Sequence, residues 1–343
     1  MNHTEFFDLI KKGSPGECYL FEGTEEYIKQ QALNNLYAKL LPAGREEMNR
    51  VELTDPDADS LIAAAETLPF MAEKRLVVVR DCALLIAGRK AEDEDRLQAI
   101  ADYLGHISPT ACVVFYVKGK ADGRKKLYTL LKKKNAIVDF SPMNDAECAD
   151  WCVRTLRRMG KKLSSDNAGR LVFTVGRDAA LLKQEMEKLC AYLDDRDTIT
   201  AEDIDAICTR STECTVFQMV DAQVAGNTDR AFGLLRDMVR TGEDRMGILA
   251  MLLRQYRILY HMRCLMDEHA PQQGQAALLG IPPFFVGRTQ QQARRFEKAR
   301  LKQAYDYLME YEFQIKQGRM PQDSCAENAL LALEGILRGT ESL

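Results

Sequence analysis

The first 140 residues alternate between two sequence patterns, and this alternation limits the fold more than any other feature of the chain. Short runs rich in apolar and β-branched residues are separated by stretches that have the apolar period of a helix. Because parallel strands need a crossover between them, the alternation predicts one doubly wound α/β domain. The runs lack polar alternation, so both faces of each strand should be buried. The predicted strands are residues 18–21, 50–53, 76–80, 112–117 and 137–140. The predicted helices between them are residues 25–41, 58–67, 91–105 and 122–134.

Beyond Ser141 and Pro142 the strand pattern almost disappears and helical periods follow. Thr200 and Asp203 have the spacing of a capping box, and Gly176 marks a turn between two helices. The predicted helices are residues 145–159, 164–175, 178–193, 201–209, 228–241, 245–266, 298–318 and 322–338. We therefore expect three domains, which are an α/β domain at 1–140, a small helical domain at 141–210 and a larger all-helical domain at 211–343.

Composition and charge exclude several classes of protein. The 343 residues carry a net charge of −4, which argues against a strongly basic nucleic-acid-binding protein. No apolar run approaches the roughly 20 residues of a membrane-spanning helix, and the N-terminus has no signal-peptide pattern, so we expect a cytoplasmic protein without a membrane partner. The ten cysteines are scattered and should be buried, reduced thiols. Cys148 and Cys152 have no second pair nearby, so no metal site is predicted.

The turn after the first predicted strand lacks what a phosphate-binding loop requires. A P-loop combines several glycines with a Lys and a Ser or Thr that contact the phosphates and magnesium. Residues 22–26 read Glu-Gly-Thr-Glu-Glu, so three carboxylates stand where an anion would bind. The central strand 76–80 ends in Arg80 and is followed by a single acid, Asp81, and the four histidines are isolated. The sequence predicts no catalytic residue, no nucleotide site and no cofactor, so the protein should act through partners.

Six segments in order along the chain resemble the delta subunit of bacterial DNA polymerase III. They are CYLFEGTEEYIKQQAL, ETLPFMAEKRLVVVRD, KADGRKKLYTLLKK, GRDAALLKQEMEKL, TVFQMVDAQVAGN and ILAMLLRQYRIL. The resemblance implies a clamp-loader subunit of the AAA+ fold, in which an α/β domain is followed by a small helical lid domain and a helical collar domain. Other loader subunits carry a P-loop or an SRC arginine-finger motif. Neither is present here, which favours delta over its relatives.

The resemblance also implies a function and a set of partners. A delta subunit binds the ring-shaped sliding clamp, the beta subunit of the polymerase, and opens it so that the ring can be loaded on primed DNA during replication. It has no active site of its own and belongs to the DNA polymerase III holoenzyme. It assembles with gamma or tau and delta prime subunits into a hetero-pentamer, whose ATP hydrolysis takes place in the neighbouring subunits.

The clamp contact of the family maps to Phe70 and Met71, with Leu68 and Pro69 beside them. Many relatives have an aromatic residue at the second position, so Met71 departs from the pattern, although a flexible thioether also fills an apolar pocket. The residues alone indicate a different role, a buried turn that caps the sheet. Exposure of these side chains would distinguish the two interpretations.

A basic segment raises the question of a direct DNA contact. Between residues 118 and 134, eight of the seventeen residues are Lys or Arg. The candidate contacts are Lys120, Arg124, Lys125 and Lys126, but a solvated helix face is the interpretation that we favour, since Tyr128 alone could stack on a base. Two other functions stay open from the sequence. One is a nucleotide-hydrolysing enzyme with a degenerate phosphate loop, and the other is a helical adaptor that binds DNA directly.

Overall fold

The chain consists of two compact units, Met1–Pro142 and Met143–Leu343. The computed structural model describes residues 1–13, 15–41, 44, 46–88, 94–281 and 283–339. In the part of the chain that it describes, no helix is long and apolar enough to cross a membrane. The division into three domains stays a prediction.

A parallel sheet forms the centre of the first unit. Its strands are β1 (Cys18–Glu22), β2 (Arg50–Thr54), β3 (Arg75–Arg80), β4 (Ala111–Tyr116) and β5 (Ile137–Asp139). Their order across the sheet is β2-β3-β4-β1-β5, and each neighbouring pair is parallel. All five predicted strands are confirmed to within one residue at each end, because apolar runs of this length fit a sheet covered by helices.

Burial separates the central strands from the edge strands. The residues of β1 and β4 are all buried, and β3 is buried except at its ends. Edge strand β2 alternates between exposed and half-buried residues, and β5 is buried only at Val138. The expectation that every strand is buried on both faces is therefore wrong for the two edge strands, where solvent reaches side chains of the strand.

The helices of the first unit cover this sheet. They are α1 (His3–Lys12), α2 (Glu26–Leu40), α3 (Glu46–Asn49), α4 (Ala58–Glu66), α5 (Glu94–Gly105) and α6 (Lys126–Lys133). Helix α1 was not predicted, although Asn2 and Glu5 form a complete capping box at its start. Its Phe6 is fully buried and packs edge-on against Phe21 of the sheet, with ring centroids 5.0 Å apart.

Two predicted helices of this unit need comment. The helix predicted at 122–134 begins only at Lys126, because Asp122 accepts a hydrogen bond from the backbone N–H of Arg124 at 3.1 Å and holds the preceding residues in a turn. Residues 91–93 of the helix predicted at 91–105 lie outside the described residues, and the rest forms α5.

Helices make up most of the secondary structure that is described in the second unit. They are α7 (Asp145–Arg158), α8 (Ser165–Val175), α9 (Ala179–Leu193), α10 (Ala201–Ile207), α11 (Thr212–Val224), α12 (Thr228–Arg240), α13 (Arg245–Asp267), α14 (Gln275–Leu279), α15 (Val286–Arg294), α16 (Lys298–Lys316) and α17 (Cys325–Arg338). The predicted capping box of Thr200 and Asp203 is present at the start of α10. The predicted turn at Gly176 separates α8 from α9, where Asp178 caps the second helix.

A buried polar chain holds three of these helices together. The Tyr256 hydroxyl, fully buried on α13, donates to Gln223 Oε1 on α11 at 2.9 Å. Gln223 Nε2 in turn donates to the Leu330 carbonyl of α17 at 3.1 Å. Each of these polar groups has a hydrogen-bond partner although an apolar core surrounds it. The hydrogen bonds therefore help to fix the positions of the three helices relative to one another.

All ten cysteines lie among the described residues and are free thiols. Eight are buried, as expected from their apolar surroundings, whereas Cys190 and Cys264 are partly exposed. Burial raises the pKa of Cys112 to about 12, so this thiol stays protonated and unreactive at neutral pH.

Candidate functional site

The turn between α4 and β3 exposes a group of apolar side chains. Helix α4 ends where the Thr67 backbone N–H and hydroxyl both donate to the Ala63 carbonyl, at 3.2 and 2.7 Å. In the turn that follows, the exposed fraction is 75% for Leu68, 52% for Phe70 and 64% for Met71. The interpretation of this segment as a buried cap of the sheet is therefore wrong for these three residues.

A buried amide holds the backbone at the centre of this turn. Asn49, the last residue of α3, is 0% exposed. Its Nδ2 donates to the Phe70 carbonyl at 3.0 Å, and its Oδ1 accepts from the Phe70 backbone N–H at 2.6 Å. Both polar groups of one residue in the turn are thus bound to one side chain of the scaffold.

Arg75 braces the same region from the start of β3. Its Nη1 donates to the Met48 carbonyl of α3 at 2.8 Å, and its Nε donates to the Ala64 carbonyl of α4 at 3.0 Å. One guanidinium therefore links the two helices that flank the turn to the strand that follows it. The fork of donors that arginine carries makes this double contact feasible.

Met71 has an unusual backbone conformation. Its φ is +50°, in the left-handed region that residues with a Cβ rarely adopt. Such a conformation costs on the order of 1 kcal/mol and persists where the surroundings hold it. In this turn the neighbouring Phe70 backbone is held by Asn49, which keeps Met71 presented to solvent.

In a fold of this kind a nucleotide would bind at the carboxyl ends of the strands, which we call the carboxyl edge of the sheet and which lies opposite this turn. The backbone N–H groups of the loop there already donate hydrogen bonds within the unit. The Gly23 N–H donates to the Gly119 carbonyl at 2.7 Å, and the Glu25 N–H donates to the Phe140 carbonyl at 3.0 Å. Gly23 has φ +118°, and a Cβ at this position would lie 2.2 Å from the Phe140 carbonyl oxygen. The loop is therefore packed against neighbouring backbone where a P-loop leaves room for phosphate.

The charged groups at this edge also satisfy one another. Lys29 is 0% exposed, and its Nζ lies 2.6 Å from Glu26 Oε1 and donates to the Val117 carbonyl at 2.9 Å. Glu26 also accepts a hydrogen bond from the Tyr116 hydroxyl at 2.8 Å. This lysine is bound to the protein's own groups, so it does not supply a free cation for an anionic ligand.

Two further acids of the sheet accept hydrogen bonds from groups of the same unit. Buried Glu22 accepts from the Ala121 N–H at 3.0 Å. Glu52 Oε2 accepts from Arg80 Nε at 2.8 Å. Partial burial would raise the pKa of Glu52, but hydrogen bonds from Arg80 and Arg50 outweigh it and lower the pKa to about 2.

The basic segment lies after β4 and along α6, and several of its cations have acidic partners. Lys120 Nζ lies 3.5 Å from Asp139, Arg124 Nη2 lies 2.9 Å from Asp122, and Lys126 Nζ lies 3.0 Å from Glu94. The side chains of these three cations are mostly exposed, so the pairs are weak and could exchange for phosphate. Lys125 precedes α6, and the DNA contact stays a prediction for all four residues.

Lys29 and Asn49, which support the loops at the two ends of the strands, were not predicted from the sequence. Lys29 stands three residues before Ala32 and four before Leu33 on the buried face of α2, so the helical period carried a signal for its burial. No pattern marked Asn49, whose partner Phe70 lies 21 residues away in the sequence. In the described residues, no group of three or more His, Cys, Asp or Glu side chains could hold a metal ion.

The fold resembles a solved clamp-loader protein. The structure of the Bacillus subtilis DNA clamp loader delta protein matches with a TM-score of 0.58 and 26% sequence identity, over 97% of this chain and 99% of that one. This similarity and the observed sheet order confirm the fold class predicted from the sequence, an AAA+ type parallel α/β domain with helical domains after it.

Comparison with protein families gives the same assignment in both units. The family described as DNA polymerase III, delta subunit, matches residues 19–141, and the family of the C-terminal domain of that subunit matches residues 213–333. The DNA polymerase III subunit delta of Bacillus subtilis (strain 168) is 27% identical over 328 residues, covering 94% of each chain. That of Escherichia coli (strain K12) is 20% identical over 311 residues, covering 88% of this chain and 86% of the relative. The chain belongs to the DNA polymerase III delta subunit family.

Proposed function

We propose that this chain binds the sliding clamp through Leu68, Pro69, Phe70 and Met71 and opens the clamp ring for loading onto primed DNA. The observation that carries the proposal is the exposure of Leu68, Phe70 and Met71, beside the partly buried Pro69, in an otherwise well-packed unit. Among the described residues of Met1–Pro142, the exposed large apolar side chains are Met1, Met48, Leu68, Phe70 and Met71. Three of these five belong to one turn, which fits a docking site for an apolar pocket.

Ring opening requires no chemistry from this chain. A protein that binds the open ring more tightly than the closed ring shifts the equilibrium toward opening by the ratio of the two affinities. Rigid apolar anchors are suited to this role, because little conformational entropy is lost when they enter a groove. Binding at the turn would thus stabilise the open state of the clamp ring relative to the closed state.

The chain would act without its own nucleotide site. The backbone N–H groups of Gly23 and Glu25 donate to carbonyls of the same unit, which leaves them unavailable to phosphate. The carboxylate of Glu25 would add repulsion of about 1 kcal/mol or more toward a nearby like charge, whereas that of Glu26 is paired with Lys29. These features oppose the alternative of a nucleotide-hydrolysing enzyme, which predicts micromolar nucleotide binding by the isolated chain.

The proposal places the chain in the cytoplasm within a clamp-loader pentamer. Its partners there would be the beta clamp, the gamma or tau subunits and delta prime, and ATP bound by neighbours would control when the turn is available. Primed DNA would be reached through the assembly. The alternative of a DNA-binding adaptor predicts salt-sensitive DNA binding by the chain alone, in which phosphates would displace the weak ion pairs of Lys120, Arg124 and Lys126.

Clamp affinity tests the proposal directly. The double variant Phe70→Ala, Met71→Ala should lose about 30-fold to 1000-fold in affinity for the clamp of the same organism, about 2 to 4 kcal/mol, as truncated anchors do. The matched control is Phe313→Ala, Met309→Ala, since these residues of α16 are likewise 52% and 43% exposed. Surface plasmon resonance with both variants decides the outcome. An equal loss in the two variants, or none in the first, would contradict the assignment of the site.

A further inference from the structure

The two hydrogen bonds from Asn49 fix the direction in which Phe70 points. They engage the N–H and the carbonyl of the same residue, at 2.6 and 3.0 Å. These groups belong to the two peptide planes on either side of the Phe70 Cα, so the Cα–Cβ bond is oriented by them. The Phe70 side chain is itself half exposed, so packing alone does not set its direction.

The amide that makes these bonds is shielded from competing water. Asn49 is 0% exposed and stands at the junction of α3 and β2, directly before Arg50 pairs with Leu76 in the sheet. A primary amide offers a donor and an acceptor on two separate atoms, so it can bind an N–H and a carbonyl at the same time. Because a buried polar group left without a partner is costly, Asn49 and the Phe70 backbone stabilise each other in this arrangement.

The strain next to Phe70 shows why such support matters. Met71 has φ +50°, and a residue with a Cβ leaves this conformation when nothing holds it. Arg75 contributes to the support by linking Met48 and Ala64 around the turn. In a loose turn Phe70 and Met71 would sample many directions, and only a fraction of the molecules would be ready to bind.

We propose that Asn49 is a positioning residue that presets the exposed apolar turn for the clamp. The inference rests on the proposed function, since the clamp is the partner for which the turn would be preset. Asn49 contributes no contact area itself, because it is fully buried. Its effect on affinity runs through the population of turns in which Phe70 and Met71 already point outward.

Affinity measurements in two backgrounds test this role. Asn49→Ala should weaken clamp binding about 3-fold to 30-fold, the cost of ordering a residue or two of backbone at binding. In the background of Phe70→Ala, Met71→Ala the same substitution should change affinity less than about 2-fold, because the side chains that it positions are gone. The control is Asn167→Ala in the second unit, which removes an amide hydrogen bond to the Ile199 carbonyl, 3.0 Å long, and should leave clamp affinity unchanged.

A second readout keeps the test independent of clamp binding. Amide hydrogen exchange at Phe70 should be slow in the wild type and at least about 10-fold faster in Asn49→Ala, since its N–H loses its acceptor. Asn49→Ser introduces no charge and keeps a hydroxyl that can replace at most one of the two hydrogen bonds, so it should give intermediate affinity and intermediate exchange at Phe70. This variant also serves if Asn49→Ala fails to fold.

The outcomes separate the two proposals. A folded Asn49→Ala with wild-type affinity and wild-type exchange overturns the positioning role and leaves clamp binding intact. An equal loss of affinity in both backgrounds also overturns it, because general destabilisation would then explain the effect. If the wild type itself does not bind the clamp, the proposed function fails, and the exchange experiment alone decides whether Asn49 orders the turn.

Discussion

The loops at the two ends of the parallel strands, the carboxyl edge and the amino edge of the sheet, differ in how far their side chains are exposed to solvent. At the carboxyl edge, the loop at Gly23 is packed against Phe140, and Lys29 is buried against Glu26 and the Val117 carbonyl. At the amino edge, the turn before β3 directs Leu68, Phe70 and Met71 into water. An α/β fold usually binds its ligand at the carboxyl edge. Here the Gly23 loop at that edge is packed against the chain's own groups, and the opposite edge carries the exposed apolar turn.

The substitution with the largest expected effect tests how closely the Gly23 loop is packed against Phe140. Gly23→Ala should lower the free energy of unfolding of the first unit by about 3 kcal/mol or more, because the new Cβ would meet the Phe140 backbone and because a positive φ is strained. Urea unfolding followed by circular dichroism measures it.

Gly119 offers the matched control for this substitution. It also has a positive φ, +70°, but nothing lies within 4 Å of an added Cβ. Gly119→Ala should therefore cost about 1 kcal/mol, the strain alone. Equal losses at the two glycines would show that close packing does not distinguish this loop, and the comparison between the edges would lose its structural basis.

A smaller effect should appear at acidic pH, and it concerns the ion pair between Glu52 of β2 and Arg80 of β3. The folded pKa of Glu52 is lowered to about 2, so its contribution is complete above the unfolded pKa of about 4.3 and is lost as pH falls toward 2. After allowance for solvent screening of a partly exposed pair, the loss is about 1 kcal/mol.

Comparison with Glu52→Gln isolates this contribution. Thermal unfolding of the wild type should decline more steeply between about pH 4.3 and 2 than that of the variant, which cannot titrate at this position. The gap between the two proteins should narrow as the pH falls. A gap that stays constant over the whole range would mean that the charge of Glu52 does not stabilise the pair with Arg80.

Most of the fold could be predicted from the sequence, but only part of the candidate site. Apolar runs of strand length between helical periods were enough to place every strand, because burial in a parallel sheet leaves a local signature. The turn at Phe70 was located by resemblance, which implies exposure for a clamp contact, whereas the residues alone favoured a buried cap. Asn49 and Lys29 act through partners distant in sequence, Phe70 and Val117, and such contacts exist only once the chain has folded.

Clamp release from DNA tests the central claim most directly. A labelled sliding clamp is placed on nicked circular DNA, and its loss is followed after addition of this chain alone, without nucleotide. The account predicts that the wild type and the Phe313→Ala, Met309→Ala control both accelerate release, whereas Phe70→Ala, Met71→Ala does not. Release that requires ATP, or that proceeds equally well with the Phe70→Ala, Met71→Ala variant, would contradict clamp opening through the exposed turn.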